Sequence, residues 1–527
     1  MTSRITRRSF LRTALTLSVA APLLGAMRPG HAQPTTLNLA APEKFSFDLL
    51  VERARKMAQR KFEPLPRPMP DVVLSLTYDE WGKIRFDTRY ALYADGPGMY
   101  PVTFFHLGKF FQTGIRIHVL KDGQSRQILY SNTYFDMPKD SPARKLPDQV
   151  GLAGFRLQEA RTRPDWRTQD WMAFLGASYF RAIGALNQYG LSARGILIDS
   201  AEPTAEEFPD FTDFFIEESR SEADPVLVYA LLDGPSISGA YRFAIRRTEG
   251  VVQDVEAALF LRNDIKRLGF APLTSMFWFG EAEKRRFEDW RPEVHDSDGL
   301  AIWTGTGERI WRPLINAPFA VTSSFTDNNP KGFGLLQRDR ANENYLDGVN
   351  YERRPSLWVE PLEPWGAGSV QLIEMPTDDE IHDNIVAYWR PAAPARAGAS
   401  YRLKYRLHWL GDEPYPPSVA RVVATRIGRG GEPGTIRPKG VYQFVVEFAG
   451  PALDPLWGDT VKASPVVSTS RGTIGRAYIE PTPNTRRWRA LFDLKPEGKE
   501  PVELRLYIQG NGEALTETWL YQFRPPT

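Results

Sequence analysis

An all-β protein is predicted, a large β-sandwich followed by a small one, and three observations predict it. From Asp71 onward, short runs rich in Val, Ile, Tyr, Phe and Thr are broken by Gly, Pro, Asn and Asp, the punctuation of strands and turns. Beyond residue 400, Tyr401, Leu403, Tyr405, Leu407 and Trp409 alternate with polar residues. Trp488, Ala490, Phe492 and Leu494, then Val502, Leu504, Leu506 and Ile508, do the same. Period-two alternation over about 125 residues indicates an antiparallel sandwich of immunoglobulin-like size, here without a disulfide. Helical signals are few.

Taken in order, residues 1–32 read as an export signal. Arg7-Arg8 followed by Phe10 and Leu11 precedes an uncharged stretch from Thr13 to Met27 and a small-residue cleavage site, Gly30-His31-Ala32, before Gln33. That is the pattern of a twin-arginine signal, an address rather than an anchor, and it places the mature protein in the periplasm. The stretch is shorter than the roughly 20 residues of a membrane span, and no later stretch is long and apolar enough to be one. Residues 44–61 carry Phe45, Phe47, Leu49, Leu50, Ala54 and Ala58 at near-helical spacing and predict a helix. Val72–Leu76, Ile115–Leu120, Gln127–Tyr130, Leu227–Leu232 and Tyr241–Arg246 read as strands, with short helices expected at Trp166–Leu175 and Thr204–Phe208. The boundary falls in 391–400, where Pro391-Ala392-Ala393-Pro394 opens a run typical of a linker. The expected domains are therefore 33–390 and 401–527.

The chain has 66 Lys and Arg against 64 Asp and Glu, and losing residues 1–32 leaves 61 against 64. Such a balance argues against a nucleic-acid partner, which needs a basic face. The absence of Cys excludes disulfides, thiolate metal sites and thiol nucleophiles. The His residues show no HExxH or close pairing, no GxSxG elbow is present, and Gly305-Thr306-Gly307 lacks the rest of a dinucleotide fingerprint. No metal and no cofactor is expected.

What remains points to saccharides. Seven of the 14 Trp, at 278, 290, 303, 311, 358, 365 and 389, fall between Phe270 and Arg390, and indole faces stack on sugar C–H faces while carboxylates and guanidinium groups bind hydroxyls. Two acidic stretches accompany them, His295-Asp296-Ser297-Asp298-Gly299 and Asp378-Asp379-Glu380-Ile381-His382-Asp383-Asn384. Both read as loops entering strands. Carboxyl groups from two loops are the minimum equipment for glycoside hydrolysis. A calcium loop is excluded because Gly299 comes too early and no Glu follows at the required distance.

Longer stretches carry a resemblance. Arg291 to Leu300, Asp327-Asn328-Asn329-Pro330-Lys331-Gly332-Phe333-Gly334-Leu335, Gln337-Arg338-Asp339-Arg340, Tyr351 to Pro361 and Asp383-Asn384-Ile385-Val386-Ala387-Tyr388-Trp389 resemble the periplasmic glucan biosynthesis family of G and D type, over essentially the whole mature chain. The twin-arginine signal resembles the D branch. The resemblance implies a large galactose-mutarotase-like β-sandwich joined to a small immunoglobulin-like one, in osmoregulated periplasmic glucan biosynthesis. It implies a glycoside hydrolase, an anomer-inverting endo-β-1,2-glucanase controlling glucan length, with a non-catalytic glucan-binding escort as the alternative. Carried over, the general acid is Asp383 with Glu380 beside it, and the base-side carboxylate is Asp296 or Asp298, a choice the sequence leaves open. Arg338, Arg353 and Arg354 are candidates to hold glucose hydroxyls, and Trp278, Trp303, Tyr351 and Trp358 to form stacking walls. The implied partner is a β-1,2-glucan polymer or oligosaccharide, with the membrane glucan synthase and a second copy of the chain as further candidates.

Overall fold

The computed structural model describes residues 36–526 except 97, 149, 459 and 460; the stretch read above as an export signal, residues 1–32, lies outside the described residues. The fold is all-β. A 16-stranded sheet runs from Glu43–Lys44 at one edge through Asp210–Glu217, Val226–Asp233, Ile237–Arg247 and Val251–Leu261. It continues through Ser400–Leu410, Ser356–Pro361, Gly332–Leu336, Gly299–Trp303 and Arg309–Pro313 into Thr518–Phe523, Val502–Gly510 and Ala463–Thr469. A 10-stranded sheet, with Val321–Asn328, Ala367–Glu374, Ile385–Pro391 and Leu268–Ser275 at one side, packs against it. Strand Leu268–Ser275 is buried at every position, while Val251–Leu261 alternates over its first half and is buried throughout its second. Their side chains join Phe174, Phe243, Leu357, Trp389 and Trp409 in one core.

The strand Ser400–Leu410 alternates as expected, but it belongs to the large sheet. It pairs antiparallel with Val251–Leu261 on one side and Ser356–Pro361 on the other. The 391–400 segment is correspondingly pinned: Ala395 accepts from the Ile265 N–H at 2.9 Å and Asp264 accepts from the Ala397 N–H at 2.8 Å. It is the crossover that returns the chain from one sheet of the sandwich to the other. The small unit starts later. Arg421–Arg429, Tyr442–Ala449, Arg487–Lys495 and Thr473–Pro481 form a four-stranded sheet facing Ala463–Thr469, Val502–Gly510 and Thr518–Phe523. Phe444, Phe492, Trp519 and Leu506 fill the space between them.

The N-terminal helix is present as Phe47–Ala58, capped by Ser46, whose hydroxyl accepts from the Leu49 N–H. Its Leu50, Val51 and Ala54 lie on Leu231, Ala240 and Ala258 of the large sheet, each larger side chain contributing about 1.5–3 kcal/mol by burial. Val72–Leu76 is not a strand. Pro70 stands at the first turn of a short helix, Pro70–Ser75, where its missing N–H costs nothing. Asp170–Leu175 is a strand rather than a helix, and its apolar residues are buried on both faces of the second sheet. Glu207 makes a bridge to Ile198 instead of a helical turn. Among the described residues no helix is long and apolar enough to cross a membrane.

Candidate active site

The two acidic stretches meet around one short segment. Leu268–Ser275 ends beside Ile385, and the chain continues into Phe277–Phe279, which pairs with Val294–His295. Asp296 donates its N–H to Met276 at 2.9 Å. On the other side the Asn384 amide spans Phe277, accepting from its N–H at 2.9 Å and donating to its carbonyl at 2.9 Å. Ser275 and Ser297 close the join through their hydroxyls at 2.8 Å. Residues 275–279 thus run between the Val294–His295 strand, which leads into Asp296, and the Ile385–Pro391 strand, which Asp383 precedes by two residues.

Asp296 is 1% exposed, and Arg354 stands 3.4 Å from its carboxylate. The Arg354 guanidinium donates to the Tyr189 carbonyl and lies 5.4 Å from the Tyr351 ring centroid. Tyr351 donates its hydroxyl to Glu380 at 2.6 Å, and Arg291 donates to the same Glu380 oxygen at 2.8 Å. Arg291 also binds Asp289 and, at 3.0 Å, Asp347; the hydrogen bond it donates to Asp289 leads among the effects that hold its pKa above the ordinary arginine value. The guanidinium sits 5.9 Å from the Trp278 ring centroid. Asp296, Arg354, Tyr351, Glu380, Arg291 and Trp278 therefore form one contiguous network, and Asp383, 6% exposed, lies three residues along the Glu380 loop. Trp290 (69% exposed) and Ile381 (46% exposed) flank Arg291 and Glu380 in sequence and give this surface accessible apolar area.

The other residues singled out in the sequence sit elsewhere. One Asp298 oxygen accepts the N–H groups of Arg338 at 2.9 Å and Asp339 at 2.8 Å, so this carboxylate holds the turn after Gly332–Leu336. Burial raises its pKa, against the pull of the neighbouring His295. Arg338 binds Glu517 through both carboxylate oxygens at 2.8 Å, reaches Glu413 at 3.2 Å and stacks 3.8 Å over Trp311. It joins the large sandwich to the small unit. Arg353 is exposed and donates to the Leu186 carbonyl. Trp358 is a core side chain, 1% exposed, packed so closely on Gly332 that a Cβ there would meet the indole at 2.5 Å. Trp303 occupies the far end of Gly299–Trp303, four residues or about 13 Å from the acidic turn, between Arg309 and Lys331.

Sequence reasoning gave no role to Arg291, to Asp347 or to a buried layer beneath the network. In that layer His295 contacts Glu293 at 2.8 Å and Gln337 at 2.9 Å. Burial opposes its protonation, but the Glu293 carboxylate overrides it and pushes the imidazole up to about 9. Gln337 donates to Tyr345 at 2.9 Å and to the Tyr351 carbonyl at 3.0 Å, which fixes Tyr351 from below. The signal for Arg291 was its place directly before the acidic stretch; for Asp347, which lies 56 residues away in sequence, there was none.

Chemically, the arrangement offers two carboxyl groups from opposite sides of one segment, a guanidinium against one of them, and a hydroxyl and a second guanidinium fixing a third carboxylate. Comparison with known proteins agrees in class. The family described as periplasmic glucan biosynthesis protein, MdoG, matches residues 45–523. The chain is 57% identical to glucans biosynthesis protein D 2 of Ralstonia nicotianae over 99% of this chain and 98% of that protein. It is 45% identical to glucans biosynthesis protein D of Xanthomonas campestris pv. campestris, with 99% and 98% covered, and 44% identical to that of Stenotrophomonas maltophilia, again with 99% and 98% covered. On a match spanning nearly the whole described chain, the protein belongs to the periplasmic glucan biosynthesis family MdoG.

Proposed function

We propose that this protein, exported by the twin-arginine route, hydrolyses the β-1,2-linked glucan backbone with inversion at the anomeric carbon and so sets glucan length. The observation that supports this is that Asp296 follows the Val294–His295 strand and Asp383 precedes the Ile385–Pro391 strand, the two strands that flank the chain at 275–279. Inverting chemistry needs the carboxyl groups about 6.5–9.5 Å apart with a water between them. Retaining chemistry needs about 5–5.5 Å. In this reading Asp383 protonates the leaving glycosidic oxygen, and Asp296 takes the proton of the attacking water. Asp296 is chosen over Asp298 because one Asp298 oxygen is fixed by two backbone N–H groups that hold a turn, whereas Asp296 faces Arg354. Tyr351 and Arg291 hold Glu380, and with it the loop that carries Asp383. Trp278 and Trp290 supply faces for glucose rings.

The test is incubation of the purified mature protein with linear β-1,2-glucan while reducing ends are counted. New ends are expected, and Asp383→Asn should remove them while leaving glucan affinity within about threefold, because a neutral isostere keeps the shape of the site. A wild-type protein that binds glucan and releases nothing would make it an escort. NMR of the first product should show the α-anomer; the β-anomer would overturn the inverting scheme.

A further inference from the structure

A second hollow, away from the acidic network, lies where the 282–286 segment of the large sandwich meets the small unit. It is a cavity of about 320 Å³ whose rim carries Arg285, Arg286, Arg429 and Arg524, with Tyr442 and Tyr521 among its walls. These cations come from three distant parts of the chain, so sequence spacing does not reveal the cluster. Glu283 is the carboxylate that lines it, and both its oxygens are engaged: one accepts from Arg286 at 2.6 Å, the other from the Asn316 N–H at 2.8 Å. Arg524 donates to Gln522 at 2.6 Å and lies 4.5 Å from the Phe319 ring centroid, while its Nε is buried with no partner. The carboxylates that act on Arg524 from further off, Glu374 and Glu503, are themselves bonded to Arg312 and to Gln522. Arg285 and Arg429 are exposed, and among the described residues neither has a carboxylate within ion-pair distance.

Glu283 is bonded to Arg286, so the four guanidinium groups leave an excess of positive charge around the hollow that favours an added anion. Guanidinium forks match the oxygens of phosphate. The hollow has room for more than a bare ion, and its tyrosine and phenylalanine walls suit an organic body. We infer that this junction is a binding site for an organic phosphate, held by the four arginines with its carbon portion against Tyr442 and Tyr521. It is separate from the acidic network: Asn316, which donates to the Trp278 and Thr377 carbonyls, stands between them.

Calorimetric titration of the full mature chain with glucose 6-phosphate, inorganic phosphate and glucose tests the assignment. Saturable binding of the sugar phosphate is expected, weakening as salt is raised, with inorganic phosphate at least about tenfold weaker and glucose silent. The double variant Arg285→Ala/Arg429→Ala, which removes two exposed side chains, should lower the affinity for the sugar phosphate by about tenfold or more. Circular dichroism should leave its fold unchanged. Absence of saturable binding, or equal affinity in the variant, overturns the site. Equal affinity for inorganic phosphate overturns the organic part of the ligand.

Discussion

Arg338→Met offers a direct way to separate a side chain that holds the molecule together from one that holds sugar. Arg338 is 5% exposed, and its methylene stem and guanidinium cover Trp311, so Met preserves most of the packing while removing the charge. What is left behind differs between its two partners. Glu413 keeps Arg309 and Arg421, each at 3.3 Å. Glu517, 2% exposed, keeps the Val422 N–H at 3.0 Å. A buried ion pair broken from one side costs about 3–5 kcal/mol, because the stranded charge remains out of water. Urea unfolding followed by tryptophan fluorescence should show that loss. Burial already holds the Glu413 pKa above its ordinary value, chiefly against the attraction of Arg338, and deleting that cation raises it further. An acid with a raised folded-state pKa contributes stability that is present at low pH and lost as pH rises through that value. The defect should therefore be smaller at pH 5 than at pH 8. Adding Glu517→Gln, which removes the stranded charge, should recover part of it. Glucan affinity should stay within about twofold of the parent, since no sugar contact is lost. A variant with unchanged unfolding but weakened glucan binding would refute the structural account and return Arg338 to the substrate.

Two further outcomes follow from the same geometry. Glu281 accepts from the Thr425 N–H at 2.7 Å, and burial, with the Glu293 charge second, pushes it up to about 8. Its contribution is full below the ordinary glutamate value and fades as pH rises through about 8, so Glu281→Gln should flatten the decline of the urea midpoint between pH 6 and 9; an unchanged slope would show that another group titrates. Tyr351→Phe removes the 2.6 Å hydroxyl bond to Glu380 while Arg291 keeps its own. A hydrogen bond to a charged group contributes about 1.5–3 kcal/mol to the folded state, so the melting temperature should fall by a few degrees and glucan turnover by roughly tenfold or more; full turnover would place Glu380 outside the working site.

How much of this was legible in the sequence depended on whether a residue's role is local. The alternation of Ser400–Leu410 announces a strand, because period two is a property of the strand itself. Its partners, Val251–Leu261 and Ser356–Pro361, are set by a crossover that no spacing encodes, so it was expected in the wrong sheet. The acidic stretches were visible as composition, yet Asp296 and Asp298 differ only in what faces them: a guanidinium for one, two backbone N–H groups for the other. Arg338 and Arg354 look alike on paper and diverge for the same reason, Glu517 and Asp296 being far from them in sequence. Trp358 was indistinguishable from Trp278 until Gly332 was seen beneath its ring.

Parallel pairing between Arg309–Pro313 and Thr518–Phe523 bears on how the polypeptide can be dissected. A chain cut anywhere between residues 411 and 518 would lack the neighbour of Arg309–Pro313 and would strip the cover from Trp311 and Ile315. Open strand margins of that kind template aggregation. The C-terminal hundred residues are thus less an appended module than the outer wall of the building, and shortening the gene from its 3′ end removes masonry rather than furniture.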